Sequence, residues 1–115
     1  MEIKYSKYRI ELIHSFNISR SENSWYDIIF IYLIDGNIIG RGEAAPSIRY
    51  NESSEQIYAL LKKIDLSKNK FNLNSLREYI IPKLRGIKAL ESAFDMAILD
   101  WWAQKKNITV SNLLK

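Results

Sequence analysis

An α+β fold is predicted by three features: a strand-rich first half, a helix-rich second half, and an Asp-Gly turn signal between two of the strands. The expected architecture is a three-stranded antiparallel β-meander followed by a bundle of three to four helices. With 115 residues, 47% of them hydrophobic and 26% charged, the chain suffices for a single domain over 1–115 with one core.

The first strand is expected over 2–13, followed by a polar stretch, HSFNISRSENS. Residues 25–34 are rich in Ile, Tyr and Phe, which suit a pleated surface, and form the second strand. Asp35-Gly36 is then the dipeptide favoured by a type I′ turn, whose central residues both need positive φ. A third strand over 37–44 closes the hairpin, with Gly40 and Gly42 on one face, where they permit close backbone approach.

Helices are expected over 53–65, 73–81, 87–106 and 111–114. Ser53 with Gln56 fits a capping box, and Ile57, Leu60, Leu61 and Ile64 follow at helical spacing. Pro82 is expected to stop the second helix. Leu90, Phe94, Ala97, Ile98 and Trp101 form the apolar stripe of the third, and Lys105 and Lys106 suit its C-terminal dipole.

Two patterns suggest a further packing partner. In the second strand Trp25, Ile29, Ile31 and Leu33 share one face, interrupted by Asp27, while Tyr26, Ile28, Phe30, Tyr32 and Ile34 share the other. A strand with one wet face should alternate apolar with polar, so both faces are expected to be covered. Trp101 and Trp102 lie about 100° apart on a helix, more than one small core easily accommodates.

Composition narrows the function classes. The chain has no cysteine, so no disulfide, thiolate nucleophile or Cys-ligated metal is expected. The longest apolar run, Ile28 to Ile34, is strand-length, and the first residues lack the pattern of a signal or transit peptide. A cytoplasmic protein with no membrane partner is expected. The net charge of +4 is spread along the chain without a nucleic-acid recognition signature, so it reads as a solvated surface and no nucleic-acid partner is expected. His14, the only histidine, reads as a surface residue. Glu91 and Asp95 are helical neighbours, but Asp100 falls about 180° from Glu91, so the three do not converge as metal ligands. No phosphate loop, catalytic triad or acid–base pair emerges.

Two segments stand out together. One is GRGEAAPSIRYNES, from Gly40 to Ser53, a strand running through an Ala-Pro loop into a helix cap. The other is ALESAFDMAILDWWAQ, from Ala89 to Gln104, with small residues at Ala89, Ala93 and Ala97 and the ITVSNLL ending after it. They resemble the GxGEAAPSxRYGES loop and the AxxAxDMALxDLxAxxxGxPLxxLLG helix of the enolase superfamily's N-terminal capping domain. The mandelate racemase/muconate lactonizing branch is the most similar, and within it the dipeptide (L-Ala-D/L-Glu) epimerases. The resemblance spans essentially the whole chain, including HSFNISR, which is similar to the family's PFTISRG segment.

The resemblance implies a cap over a modified TIM barrel, which is absent from these 115 residues. The barrel would supply the lysine bases and the acidic ligands of Mg²⁺, so no cofactor and no catalytic residue is expected in this chain. An isolated cap is expected not to be an enzyme, although its parent family consists of isomerases acting on amino-acid derivatives. Its partners would be the barrel, a small dipeptide substrate and, in one reading, a second copy of itself. The resemblance assigns substrate selection to two loops, Phe16–Ser24 and Ala45–Glu52. There Phe16 and Ile18 would line an apolar wall, Arg20 would pair with an acidic substrate group, and Arg49 and Tyr50 would contact substrate or hold the lid. Glu43 reads as a structural anchor at the strand end. Asn51 and Asn107 stand where the family has glycine, and the proline of GxPL is missing. The alternatives are a cap of a muconate cycloisomerase or o-succinylbenzoate synthase, and a free-standing dimeric interaction module.

Overall fold

A computed structural model describes residues 1–11, 25–45 and 53–115; of Glu11, Trp25 and Tyr26 only the backbone is described. Three strands, β1 (Glu2–Glu11), β2 (Trp25–Asp35) and β3 (Ile38–Ala44), form an antiparallel sheet in the order β1-β2-β3. Four helices follow: α1 (Ser54–Leu61), α2 (Leu73–Ile80), α3 (Lys88–Lys105) and α4 (Val110–Leu113). The α+β architecture is as the sequence predicts.

The hairpin differs in detail. Asp35 pairs with Ile38, so the two-residue loop is Gly36-Asn37 rather than Asp35-Gly36. Only Gly36 has positive φ, at 61°, as a type II′ turn requires of its first central residue. α2 ends at Ile80, ahead of Pro82 as expected, although the chain goes on coiling. A 3-10 turn, Ile81–Leu84, runs on from α2 with Pro82 in its opening positions, where a proline's missing N–H leaves no bond unmade. α1 ends at Leu61, four residues earlier than the apolar spacing suggests.

Helix ends are closed by local chemistry. The Ser53 hydroxyl accepts the Gln56 N–H at 3.2 Å. Asn72 and Ser75 cap α2 reciprocally, at 2.8 and 2.9 Å, in a box the sequence reading missed. Asn107 takes the place of the missing glycine after α3. It adopts φ 59°, and the Asn107 and Ile108 N–H groups bond back to Gln104 and Ala103 in a Schellman arrangement. Thr109 then caps α4 through the Asn112 N–H at 3.0 Å.

The core lies between the sheet and the helices. Ile29, Ile31 and Leu33 of β2 are fully buried with Leu90, Phe94, Ala97, Ile98 and Trp101 of α3. Ile57 and Leu61 of α1 and Leu76 and Ile80 of α2 complete it. α3 rests directly on β3. A Cβ on Gly42 would collide with the Ala93 carbonyl, and one on Gly40 with the Ala97 carbonyl and, at 2.7 Å, with Trp101 Cβ. The sequence had marked these glycines and alanines for close approach, and they meet.

Within the described residues both features that suggested a further packing partner persist. One face of β2 is buried, but Ile28, Phe30, Tyr32 and Ile34 on the other remain partly exposed, because every described helix packs on the opposite side. The two tryptophans coexist. Trp101 is buried, while Trp102 lies half-exposed beside it, with ring centroids 5.3 Å apart and the Lys106 ammonium 4.6 Å above its ring.

Gly42→Ala is expected to lower the free energy of unfolding by about 3 kcal/mol through overpacking against α3. Urea denaturation checks this; a loss below about 1 kcal/mol would mean that α3 is free to shift.

Candidate functional site

One end of the sheet gathers the described residues that flank two connecting segments. The 12–24 segment connects β1 to β2, and the 46–52 segment connects β3 to α1. Glu11 and Trp25 are direct partners across the β1–β2 ladder, while Ala44 pairs with Ile29 on β2's other side.

Asp27 ties these flanking residues together. It sits on the otherwise apolar face of β2, opposite Arg9 on β1, with its side chain 9% exposed. Arg9 Nε donates to Oδ1 at 2.9 Å and Nη2 to Oδ2 at 3.4 Å, a two-point contact. Ser54, the first residue of α1, donates its hydroxyl to Oδ2 at 3.3 Å. One carboxylate thus joins β1, β2 and the start of α1. The Arg9 hydrogen bond, with the charges of Arg9 and Lys7 and the Ser54 hydroxyl, holds the Asp27 pKa below its ordinary 3.8, against the opposing effect of burial. Burial foremost, then the neighbouring Tyr5 and Asp27, pushes the Tyr58 phenol up. Tyr58 packs edge-on against Tyr5 at 4.9 Å, fixing α1 over β1.

All five candidate substrate contacts, Phe16, Ile18, Arg20, Arg49 and Tyr50, lie outside the described residues, as do His14 and Asn51. What the structure places is the frame from which their segments leave. Asp27 was visible in the sequence as the exception on the apolar face of residues 25–34, a position that demands partners. Glu43 is not the anchor the sequence suggested: it lies exposed on the opposite face of the sheet, without a hydrogen bond or ion pair among the described residues.

The helical carboxylates are used separately. Asp95 pairs with Arg77 at 2.9 Å, joining α3 to α2. Asp100 accepts the Arg41 backbone N–H at 2.9 Å. Gln104 donates to the Ile39 carbonyl at 2.7 Å and to Asp100 at 3.0 Å. Among the described residues no three His, Cys, Asp or Glu side chains converge as a metal site. Nor is any described helix long and apolar enough to cross a membrane.

Two clefts lie away from these flanking residues. One, of about 470 Å³, is lined by Leu60, Lys63, Ile64, Pro82, Lys83 and Arg85, and so brings three basic side chains together near the C-terminal end of α1. The other, of about 620 Å³, lies by Asp35, Phe71, Trp101 and Lys105, at the opposite end of β2 from Asp27.

No protein-family model matches the chain. It is 32% identical over 120 residues to the L-Ala-D/L-amino acid epimerase of Pedosphaera parvula (strain Ellin514), covering 99% of this chain and 34% of that protein. Its fold recurs in a solved L-Ala-D/L-Glu epimerase, with TM-score 0.67 and 21% identity over 98% of this chain and 32% of the other. It recurs also in an enolase family member from Agrobacterium tumefaciens with homology to dipeptide epimerases, with TM-score 0.69 and 24% identity over 96% and 33%. That structure holds sodium and L-Ala-L-Glu with an ordered loop. The chain therefore spans about a third of the length of the proteins it matches. The resemblance carried by the loop and helix motifs is borne out by these relatives.

Asp27→Asn is expected to lower stability at pH 7 by about 1–2 kcal/mol. Because the folded pKa lies below 3.8, the carboxylate's contribution is complete above about pH 4 and is lost as pH falls through the folded value. Urea unfolding at pH 7, 5 and 3 should show the gap between variant and parent closing at the acid end. A gap of constant size would rule out the charge as the source of the tie.

Proposed function

We propose that this chain, which shares its fold with about a third of enolase-family dipeptide epimerases, is the capping and substrate-selecting domain of such an enzyme and is not catalytic by itself. The observation that carries the proposal is the gathering of the bases of both intervening segments, 12–24 and 46–52, about Asp27. The 32% identity to an L-Ala-D/L-amino acid epimerase supports the choice of substrate class.

In this reading Mg²⁺, held by barrel residues, would stabilise the enolate formed when a proton is removed beside a carboxylate. The cap's own work is binding and exclusion. Phe16 and Ile18 offer an apolar wall to the substrate side chain. Arg20 pairs with its acidic group, and Arg49 and Tyr50 hold the closing edge. Keeping water from an enolate is the physical reason for a lid, and a lid works best when its hinges are fixed. The Arg9–Asp27–Ser54 tie fixes them at the strand ends, leaving the intervening residues to respond to substrate.

The test is a chimera in which this chain replaces the matching third of the Pedosphaera parvula epimerase. We expect a folded protein that epimerises L-Ala-L-Glu with Mg²⁺, while the 115-residue chain alone does not. Arg20→Ala in the chimera should raise KM for L-Ala-L-Glu about tenfold, the equivalent of one modest ion pair, and leave KM for L-Ala-L-Ala nearly unchanged. Turnover by the chain alone, or a folded chimera inactive on every dipeptide, would overturn the reading.

A further inference from the structure

We propose that the outer face of the sheet is a homodimer interface. Two copies pack sheet to sheet about a two-fold axis perpendicular to the strands, setting Arg41 of each against the partner's Glu43. This does not depend on the cap role proposed above.

The face is built for contact. Ile28, Phe30, Tyr32 and Ile34 run along it on the central strand, with Ile39 beside them on β3 and Tyr8 on β1. All are at least partly exposed, Tyr8 to 62%, and no described helix covers them. A central strand with one wet face should carry polar residues there, and this one carries none at these positions. Access from the side is closed at β3, where Asp100 and Gln104 occupy the outward Arg41 N–H and Ile39 carbonyl. A second copy therefore meets the face rather than the β3 edge.

The register defines the geometry. Lys4, Tyr32 and Arg41 form one cross-strand row, and Ser6, Phe30 and Glu43 form the next. A two-fold axis between these rows, lying across the strands, sets each row over the partner's other row. Tyr32 then packs on the partner's Phe30, Arg41 meets the partner's Glu43, and Lys4 meets the partner's Ser6. One row out, Ile34 packs over the partner's Ile28. No like charges oppose one another. Within the chain neither Arg41 nor Glu43 forms any of the ion pairs found among the described residues, and the Arg41 guanidinium makes only a long 3.5 Å bond to the Ile39 carbonyl. At ordinary strand spacings the face measures roughly 500 Å² per copy, about 1,000 Å² for the pair, the lower limit of a specific interface and consistent with a micromolar dimer. Aligned sheet packing brings the usual offset of about 30° between strand directions, which long side chains such as Arg and Glu span.

Sedimentation velocity of the full chain from about 1 to 500 µM tests this. We expect a reversible monomer–dimer equilibrium whose dissociation constant rises about tenfold or more in Arg41→Glu and in Glu43→Arg. The double variant R41E/E43R should return close to the parent value, a recovery that misfolding cannot mimic; circular dichroism melts confirm that each variant is folded. Phe30→Lys should leave only monomer. A single monomeric species up to 500 µM, a dimer indifferent to either charge reversal, or a double variant that stays dissociated would each overturn the proposal.

Discussion

The contact between β3 and α3 sets the rest of the structure. Gly40 and Gly42 have no side chain to hold the helix away, and the carbonyls of Ala93 and Ala97 occupy the space that Cβ atoms would need. This intimacy does more than bury area. It brings Asp100 and Gln104 within hydrogen-bond distance of peptide groups that an edge strand would otherwise leave open. It also lets the Trp101 indole reach Asp35 at 2.9 Å from within the core. A helix resting on ordinary side chains would stand too far off for either.

Register along β2 is controlled by charge at both ends of an apolar run. Asp27 and Asp35 lie on the core face with Ile29, Ile31 and Leu33 buried between them. Asp27 is matched by Arg9 and Ser54, and Asp35 by Trp101 and Lys105. Both carboxyls are held below their ordinary pKa, Asp35 chiefly by the Trp101 hydrogen bond and then by Lys105. Sliding the strand by one residue would turn three large apolar side chains outward and leave both carboxylates without partners. Losing those buried apolar contacts together with the hydrogen bonds at both ends of the strand makes the native register the preferred one.

The fold was legible in the sequence where period and composition are local. The α3 stripe, the β2 run, the hairpin and the small residues at the helix–sheet contact all follow from residues close together in the chain. What escaped depends on partners that sequence spacing does not reveal. The Arg41–Asp100 bond joins residues 59 apart, and the carboxylate of Asp100 becomes an edge-strand cap only once α3 lies on β3. Pro82 was read as the end of α2, and α2 does end ahead of it, but the tighter 3-10 turn that carries on through the proline was not foreseen. Asn107 looked like the loss of a helix-ending glycine, but asparagine tolerates the left-handed conformation and serves the same end. As for the candidate site, the five loop residues rest on the family resemblance, whereas their anchor, Asp27, was visible in the sequence as an anomaly.

On the proposed cap role, that anomaly would connect stability to function. A lid must move or reorder between substrate entry and chemistry, while its ends must return to one position if the site is to be complete each time. Apolar packing alone holds a strand end poorly, because the last turns and rungs of an element fray first. A buried carboxylate with donors from two other elements resists fraying, since opening it exposes a charge that no longer has its matched partners. Arg9 joins β1 to β2, and Ser54 joins α1 to the same oxygen pair, so the ends on both sides share one constraint. In that role, substitutions within 12–24 and 46–52 would alter which substrate is accepted without disturbing where those segments begin. Selectivity and frame would then be separable, because a single ion-paired residue marks the boundary between them.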